Sequence, residues 1–550
     1  MSLEWQNKTI GSMLKEASEV WPENSAIRYD GQEVSYKELF TRACRLAKGL
    51  SKIGVKKGDH VGTNMDTLPE WLWIKYALHI LGAVIVPINT VFARDEFKFV
   101  LNQADISTLI TVDEFRNRNF VTLLEEVAPE IKSAKPGIDI QSGSLPSLRR
   151  FISVSPAHQR YDNGHDFEEL MRLGEDFALG EIDTFLQQVR PDNICNILYT
   201  TGSTAFPKGA MHTHNSLLRI AANFIVEPFK LTDKDRLLAY FPFHHIAGCV
   251  YYVLAALLCG CSIIVTEFIP DIVLPLIEKE KATLLGGFET NFNRLIEHPS
   301  FKKCDTSSIK KVLLAAGPEW YDKISESFSG VEIKVHHYGF TEGTGVVVPA
   351  EEQDYAIRKN SNGKPLPAVE VKIVNPDTGE KLSPDVPGEI CVKGPQMFKG
   401  YYNMPQETEK SVDSEGFFHS GDYGWMDRQG NIYYRGRYKM MIKTGGENVS
   451  EKEVENFLEG IPTVKAVQVV GVPDERWMEA VTAIIETKPG TSLTQEDVIN
   501  YCKGKIAGYK IPKYVLFVNE TDWPLKSTGK VDKRTLKEWA VNKIGNKEVS

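Results

Sequence analysis

The stretch that decides the fold is Tyr199-Thr-Thr-Gly-Ser-Thr-Ala-Phe-Pro-Lys-Gly209, a loop sequence rich in Gly, Ser and Thr. It follows the apolar run Ile194-Cys-Asn-Ile-Leu198, which is typical of a buried strand. A loop of this composition after a strand can direct backbone N–H groups and hydroxyls at phosphate oxygens, and Lys208 adds a positive charge. It is not a Walker A loop, because Lys208 precedes Gly209 and no Ser or Thr follows. The residues alone therefore fit either a phosphate-binding loop of another kind or a plain surface turn.

The sequence around this loop alternates helical and strand patterns. Residues 36–53 have the apolar spacing of an amphipathic helix, and residues 71–81 also favour a helix. Residues 82–87 and 107–112 favour buried strands. Such alternation, repeated from about residue 193 to 350, predicts two α/β subdomains with mostly parallel strands.

The pattern changes beyond about Gly363. Short strand-like runs between turns then predict an antiparallel, barrel-like subdomain: 369–374, 388–394 and 430–436. After Gly436 the sequence predicts a small α+β unit with these elements: helices at 451–458 and 495–505, strands at 464–472 and 480–486. The expected α/β protein therefore has a large N-terminal domain, 1–436, and a small mobile C-terminal domain, 437–550.

Composition excludes several classes of protein. The chain of 550 residues is 42% hydrophobic and 25% charged, which is ordinary for a globular protein. Its 64 basic and 73 acidic residues give a net charge of −9, which disfavours sequence-independent nucleic-acid binding. The 8 cysteines form no C-x-x-C pair, so we expect reduced, mostly buried thiols in a cytoplasmic protein and no structural zinc site.

Two stretches need a choice between interpretations. Residues 246–265 carry no charge and approach the length of a membrane span, but Gly248, Gly260 and Ser262 interrupt them. We expect a buried helix, a turn at Gly260 and a buried strand. Residues 132–166 are polar, and we expect a long surface excursion there.

The 199–209 loop resembles the signature of the adenylate-forming superfamily, Y-T-S-G-T-T-G-x-P-K-G, with departures at Thr201, Ser203 and Ala205. That superfamily includes acyl-CoA synthetases, peptide-synthetase adenylation domains and beetle luciferases. Further motifs follow in the order that the superfamily has them: Tyr338-Gly-Phe-Thr-Glu342, His419-Ser-Gly-Asp422, Gly436-Arg437 and Pro524-Leu-Lys-Ser-Thr-Gly-Lys530. Each motif alone is weak, but five in order over nearly the whole chain argue against coincidence.

The resemblance implies roles for the motif residues. Tyr338 stacks on adenine, Thr341 contacts a phosphate oxygen, Glu342 holds Mg²⁺, and Asp422 accepts hydrogen bonds from the ribose diol. It further implies that the following residues bind nucleotide: Thr200, Thr201, Gly202, Ser203, Thr204, Lys208, Gly317, Pro318, Glu319, His337, Tyr338, Gly339, Asp422 and Arg437. The catalytic residues are then Lys530, Glu342, Thr341 and His245.

A second resemblance concerns the acid. Phe241-Pro-Phe-His-His-Ile-Ala-Gly248 is similar to the P-L-F-H-x-x-G segment of acyl and aryl acid activators, in which His245 gates the acid pocket. No Asp occurs between Phe241 and Val253 to hold an α-ammonium group, which favours an acid without an α-amine. The expected acyl pocket is lined by His245, Cys249, Gly287, Phe288 and Gly343. The glycines suggest space for a medium-chain, alicyclic or aromatic acid.

The resemblance also implies domain alternation. Lys530 is the adenylation lysine, and a hinge at Lys439 and Met440 lets the small domain present a second face for thioester formation. Residues Lys443, Gly445, Gly446 and Glu447 then line a tunnel for coenzyme A.

The function implied is an AMP-forming acyl-CoA synthetase that uses ATP, Mg²⁺ and coenzyme A and acts as a monomer or homodimer. Two alternatives stay open: an acyl-AMP ligase that loads a separate carrier protein, and a noncatalytic nucleotide or acyl-AMP sensor on the same fold. A luciferase on this fold is a third and rarer hypothesis. The sequence does not choose among the acids or the direction of the reaction.

Overall fold

The computed structural model describes the following residues: 2–156, 159–200, 207–315, 319–328, 330–335, 338–347, 352, 354–376, 378–437, 441–524, 531 and 533–545. They divide into two compact units. Unit 1 covers residues 1–90, 100–199 and 209–436, and unit 2 covers residues 91–99, 200–208 and 437–550.

Unit 1 is built on two seven-stranded sheets. In spatial order, the first contains β16 (Glu332–Val335), β15 (Lys311–Ala315), β14 (Leu284–Phe288), β12 (Arg236–Ala239), β13 (Ser262–Val265), β1 (Ser25–Tyr29) and β2 (Gln32–Ser35). The second contains β11 (Lys208–Thr213), β10 (Ile194–Thr200), β4 (Val84–Pro87), β3 (His60–Asn64), β5 (Thr108–Val112), β8 (Arg150–Val154) and β9 (His165–Asp166). Most neighbouring strands are parallel, as the alternation predicts.

Smaller antiparallel sheets complete unit 1. One joins β17 (Tyr338–Phe340), β18 (Gly343–Val347) and β19 (Lys364–Pro365), and another joins β20 (Glu370–Val374), β21 (Gly388–Lys393), β22 (Phe418–Met426) and β23 (Ile432–Arg437). A short hairpin joins β6 (Glu114–Phe115) and β7 (Arg118–Asn119).

Helices connect most of these strands. They are α1 (Ile10–Val20), α2 (Tyr36–Lys52), α3 (Pro69–Leu81), α4 (Arg94–Gln103), α5 (Phe120–Val127), α6 (Phe167–Leu173), α7 (Leu179–Gln188), α8 (His214–Ile220), α9 (Glu227–Phe229), α10 (Val253–Cys259), α11 (Pro270–Glu280), α12 (Glu289–Ile296), α13 (Glu319–Ser327), α14 (Tyr355–Asn360) and α15 (Pro405–Ser411). Two π-helical segments, Ala221–Val226 and Ala247–Tyr252, precede α9 and α10, and 3₁₀ turns lie at Pro129–Ser133 and Phe301–Lys303.

The residues that the structure describes after position 437 form a five-stranded sheet and three helices. The strands are β24 (Met441–Thr444), β25 (Glu447–Ser450), β26 (Val464–Asp474), β27 (Met478–Thr487) and β28 (Tyr514–Phe517), and the helices are α16 (Glu451–Leu458), α17 (Gln495–Cys502) and α18 (Lys533–Gly545), with 3₁₀ turns at Gly508–Lys510 and Glu520–Asp522. Two clusters of buried apolar side chains lie among these elements. The predicted α+β character is confirmed.

Several sequence expectations are confirmed locally, and one is wrong. The uncharged run folds as a buried helix ending at Cys259, Gly260 takes a φ of 71°, and β13 follows. The polar stretch 132–166, expected to be a surface excursion, instead contains β8, all five of whose residues are buried beside β5. The strand was not predicted because Arg150 and Ser153 interrupt its apolar run and the surrounding stretch is polar.

Lys533, at the start of α18, joins two buried carboxylates to the sheet. Its ammonium lies 2.7 Å from Glu451 Oε2, donates to the Val469 carbonyl at 3.0 Å and pairs with Glu455, which is 2% exposed. We expect Lys533→Met to lower the free energy of unfolding by about 3 kcal/mol, because two buried carboxylates lose their partner. Urea unfolding followed by circular dichroism measures the change.

The exposed Lys543, on the same helix, provides the control. Lys543→Met should change the free energy of unfolding by less than about 0.5 kcal/mol. Equal effects of the two substitutions would show that the ion pairs of Lys533 do not stabilise this part of the chain.

Candidate active site

The predicted phosphate loop lies between two paired strands. β10 ends at Thr200 and β11 begins at Lys208. The Tyr199 hydroxyl donates to Gln103 Oε1, whose amide nitrogen donates to the Tyr402 carbonyl at 2.6 Å. A Cβ on Gly209 would lie 2.6 Å from the Ile197 side chain, so the glycine allows the two strands to pack closely.

Thr341 and Glu342 form the turn of the β17–β18 hairpin. Both side chains are partly exposed. The Tyr401 hydroxyl donates to Glu342 Oε1 at 2.5 Å, and the Phe398 N–H donates to the Glu342 carbonyl at 2.7 Å. The Glu342 carboxylate is thus oriented by a neighbouring segment and still reaches solvent, which suits a carboxylate that binds a cation.

His212 is a functional candidate that the sequence reasoning missed. It lies on β11, is completely buried, and donates from Nε2 to the Thr341 carbonyl at 2.8 Å. Burial lowers the pKa of His212 to about 4, so the imidazole is neutral near pH 7. The side chain therefore ties the strand after the phosphate loop to the Thr341–Glu342 turn. The sequence signal was the Met-His-Thr-His run directly after Pro-Lys-Gly-Ala.

Asp422 lies at an irregularity of β22. Gly421 takes a φ of 70°, and the register with β21 shifts between Glu389 and Cys391. Bulges of this kind re-aim side chains beside active sites. The Asp422 N–H donates to Ser420 Oγ at 3.0 Å, and the residue is 4% exposed.

Tyr338 holds the carboxylate of Asp422. Its hydroxyl donates to Asp422 Oδ2 at 2.8 Å, and its ring packs against Tyr434 and Phe340, with ring centroids 5.6 and 5.7 Å away. Burial and the Asp422 charge raise the pKa of Tyr338 well above its usual value, which keeps the phenol a donor. The ring is 4% exposed, so stacking on adenine stays a prediction.

The side chain of His245 is open to solvent on one side and packed against protein on the other. The side chain is exposed to solvent, yet surrounding protein lowers the pKa of its imidazole. A side chain that lines a cleft has both properties. Its Nδ1 accepts a hydrogen bond from the Ala247 N–H at 3.2 Å, so Nε2 carries the proton of the neutral ring. Cys249, by contrast, is completely buried, and burial raises the pKa of its thiol to about 11.

The glycines expected to leave space for the acid are packed against protein atoms. A Cβ on Gly286 would lie 2.0 Å from Tyr252 Oη, and one on Gly287 would lie 3.0 Å from the Phe292 ring. A Cβ on Gly343 would lie 2.6 Å from Met397 Sδ. The inference of an open pocket from these glycines is therefore wrong, because neighbouring side chains fill the room that they leave. Phe288 is partly exposed and contacts Phe241 edge-on, with ring centroids 5.8 Å apart.

The predicted coenzyme A segment forms a tight hairpin in unit 2. Gly445 and Gly446 take φ values of 59° and 87° in the turn between β24 and β25. The Lys443 N–H donates to Glu479 Oε2 at 2.9 Å, and burial raises the pKa of Glu447. Both glycines are exposed, as a backbone that a thin ligand approaches would be.

Several predicted site residues lie outside the described residues. They are Thr201, Gly202, Ser203, Thr204, Gly317, Pro318, His337, Lys439, Met440 and Lys530. Glu319 begins α13, Arg437 ends β23, and Gly339 lies in β17, where a Cβ would be 3.0 Å from Thr344. Their roles remain predictions.

None of the helices formed by the described residues is long and apolar enough to cross a membrane. This agrees with the interpretation of residues 246–265 as buried core.

Comparison with known proteins identifies the family. The model for AMP-binding enzymes matches residues 14–402, and the model for the C-terminal domain of AMP-binding enzymes matches residues 453–530. The protein named "Putative acyl-CoA synthetase YngI" from Bacillus subtilis (strain 168) is 36% identical over 539 residues, covering 97% of each chain. The mitochondrial medium-chain acyl-CoA ligase ACSF2 of Rattus norvegicus is 31% identical over 550 residues, covering 97% of this chain and 87% of the relative.

A solved structure agrees with these matches. ATP-bound MatB from Rhodopseudomonas palustris is 26% identical, with a TM-score of 0.65 over 96% of this chain and 99% of the other. The resemblance inferred from the five motifs is thereby confirmed, as is the α/β fold class. This chain belongs to the AMP-binding enzyme family and is an adenylate-forming ligase.

Proposed function

We propose that the chain is an AMP-forming acyl-CoA synthetase, which converts a carboxylic acid, ATP and coenzyme A into acyl-CoA, AMP and diphosphate through an acyl-adenylate. The observation that carries the proposal is the Glu342 turn. Its carboxylate is oriented by Tyr401, remains partly exposed, and is tied through Thr341 and His212 to the strand after the phosphate loop. A cation ligand is thus fixed relative to the strand that follows the phosphate-loop motif in sequence.

The chemistry requires charge stabilisation more than covalent catalysis. A carboxylate oxygen attacks the α-phosphorus of ATP while diphosphate leaves from the opposite side, and charge accumulates on the phosphate oxygens. Lys208 and the loop after β10 contact the leaving phosphates, and Lys530 contacts the acid and the α-phosphate. Positioned donors of this kind lower the barrier because they need no reorganisation during the reaction.

The residues present fit a magnesium ion at Glu342. Mg²⁺ takes oxygen ligands and usually combines one or two carboxylates with substrate phosphates. When bound, it supplies positive charge beside the phosphate oxygens. Glu342 offers a half-exposed carboxylate whose Oε1 is held by Tyr401, so the side chain is placed before the ion arrives.

Asp422 is proposed to bind the ribose diol through its carboxylate. We expect Asp422→Asn to raise the KM for ATP by about 10–100-fold, because hydrogen bonds to a charged acceptor are stronger than those to an amide. Initial rates at varied ATP measure the change.

Tyr338→Phe is the matched variant, since it removes the hydroxyl that holds Asp422 Oδ2 and keeps the charge. We expect a KM increase below about 10-fold. A larger effect for Tyr338→Phe than for Asp422→Asn would argue that the carboxylate does not bind ribose.

The acid proposed is medium-chain, alicyclic or aromatic. Support comes from the exposed His245 beside an aromatic group that includes Phe241 and Phe288, and from the absence of an Asp in residues 241–253. The relative ACSF2 is named a medium-chain acyl-CoA ligase, and this favours the medium-chain acids among the three classes.

Free coenzyme A is proposed as the acceptor. The exposed Gly445–Gly446 turn beside Lys443 supports this choice, since a glycine turn lets a narrow pantetheine arm pass close to backbone. Free thiols at all eight cysteines, seven of them buried, support a reducing compartment such as the cytoplasm.

A panel of acids tests the proposal. Purified protein is given ATP, Mg²⁺, one acid and coenzyme A, and AMP release is measured with and without coenzyme A. We expect medium-chain or aromatic acids to give the highest coenzyme A-dependent rate. Exchange of diphosphate with ATP without coenzyme A-dependent AMP release would favour a ligase serving a carrier protein. Nucleotide binding with neither activity would favour a sensor.

A further inference from the structure

A cluster of metal-ligating side chains joins β21 to β22. Cys391 is the ladder partner of His419, and Glu389 lies two residues before Cys391. One ligand atom from each residue lies within 4.8 Å of the others. His419 Nδ1 is 2.8 Å from Glu389 Oε2 and 3.5 Å from Cys391 Sγ. Thiolate, imidazole and carboxylate together are a donor set that zinc prefers.

The spacing of these atoms suits a bound ion. Zinc bonds of about 2.0–2.3 Å place neighbouring ligand atoms of a tetrahedron about 3.3–3.6 Å apart. The Nδ1–Sγ distance of 3.5 Å already has this value, and the Nδ1–Oε2 distance of 2.8 Å needs to widen by roughly half an ångström. The Cys391 side chain is completely buried, whereas the side chains of His419 and Glu389 are 29% and 12% exposed, so an ion can enter from solvent.

The surrounding charges attract a cation. Asp413 Oδ2 lies 3.6 Å from His419 Nε2, and Lys372 contacts Asp413 and Glu415 at 2.8 and 3.0 Å. With a neutral imidazole, the carboxylates of Glu389, Asp413 and Glu415 outnumber the ammonium groups of Lys372 and Lys393, which both approach the Phe417 ring.

We propose that Glu389, Cys391 and His419 bind a zinc-like divalent cation, with water as the fourth ligand. On binding, Cys391 loses its S–H proton to solvent. The single proton of the neutral imidazole, which Nδ1 donates to Glu389 before the metal binds, moves through solvent to Nε2, so that Nδ1 bonds the metal and the Nε2–H faces Asp413. Glu389 Oε1 continues to accept a hydrogen bond from the Gly421 N–H at 2.9 Å. One carboxylate thus contacts both the ion and the backbone beside Asp422.

A second group, His79, Cys195 and His214, is less suited to the same role. All three side chains are completely buried. His214 Nδ1 already accepts a hydrogen bond from the Ile10 N–H at 3.2 Å, and Lys75 lies close enough to lower the pKa of both histidines. Cation binding there would need to displace a backbone hydrogen bond in the core.

Cobalt titration of the metal-stripped full-length protein tests the proposal. We expect one Co²⁺ per chain and a thiolate-to-cobalt absorption band in the near ultraviolet, which Zn²⁺ displaces. Cys391→Ser should abolish the band. Cys304→Ser should retain it, because Cys304 is the least buried cysteine and belongs to neither group.

His419→Gln provides a second variant that keeps the thiol. We expect it to weaken Co²⁺ binding by about 10–100-fold. Circular dichroism of each variant checks that it is folded. Absence of the band in the wild-type protein, or a band of full strength in a folded Cys391→Ser or His419→Gln protein, would overturn the proposal whatever the activity of the enzyme.

Discussion

Lys530→Ala should reduce the rate of acyl-adenylate formation by about 10²–10³-fold, because the proposed role of Lys530 is to place a positive charge at the acid and the α-phosphate. The second half-reaction should survive. When acyl-AMP is supplied with coenzyme A, thioester formation by the variant should stay within a few-fold of the wild-type rate, since the resemblance to the superfamily implies that a second face of the C-terminal domain serves that step. Single-turnover assays of the two half-reactions measure both rates.

Lys526→Ala is the matched control, because Lys526 lies in the same Pro524–Lys530 motif at a position with no assigned role. It should leave both half-reactions nearly unchanged. Equal loss of both half-reactions in Lys530→Ala would show that the lysine is needed throughout, and would remove the assignment of two separate faces.

Glu342→Gln should have the next largest effect, about 10² in kcat, together with a raised Mg²⁺ requirement. The amide keeps the size of the side chain and can still bond Tyr401, but it lacks the charge that favours a divalent cation. Titration of Mg²⁺ at saturating ATP and acid gives two quantities: the Mg²⁺ concentration for half-maximal rate, which reports metal binding, and the maximal rate, which reports the loss in kcat.

Tyr401→Phe separates the effect of the charge of Glu342 from the effect of its orientation. This variant keeps the carboxylate and removes the 2.5 Å hydrogen bond to Oε1. We expect a decrease in kcat below about 10-fold and a small change in Mg²⁺ requirement. If Glu342→Gln showed an unchanged Mg²⁺ dependence, Glu342 would not be the metal ligand.

Much of the fold follows from local sequence, because the spacing of apolar residues in a long segment indicates whether it forms a helix or a strand. Helix α2 and strand β10 are examples, and the predicted and observed bounds of α2 differ at only its last residue. β22 was harder, because His419-Ser-Gly-Asp422 has the composition of a turn and its strand geometry depends on pairing with β21. β8 was not predicted because its run of apolar residues is interrupted by Arg150 and Ser153.

The candidate site was predictable to the extent that it resides in contiguous motifs. Thr341, Glu342 and Asp422 each stand in a short motif, and the described residues bring Tyr338 and Asp422 into contact. His212 and its bond to Thr341 span 129 positions, and no local pattern encodes such a pair. The cluster around His419 is similar, since Glu389 lies 30 positions away and the search for C-x-x-C pairs could not find it. The expectation that Gly287 and Gly343 leave space for the acid had a different weakness. The sequence does not say which atoms occupy the space where a Cβ would otherwise lie.

Acid-dependent exchange of labelled diphosphate into ATP is the sharpest test of the proposed function, because it reports the reversible formation of an acyl-adenylate without coenzyme A. We expect exchange that requires both Mg²⁺ and an acid, appears with medium-chain or aromatic acids, and is nearly abolished by Lys530→Ala. Folded protein that binds ATP but exchanges no diphosphate with any acid in the panel would contradict it.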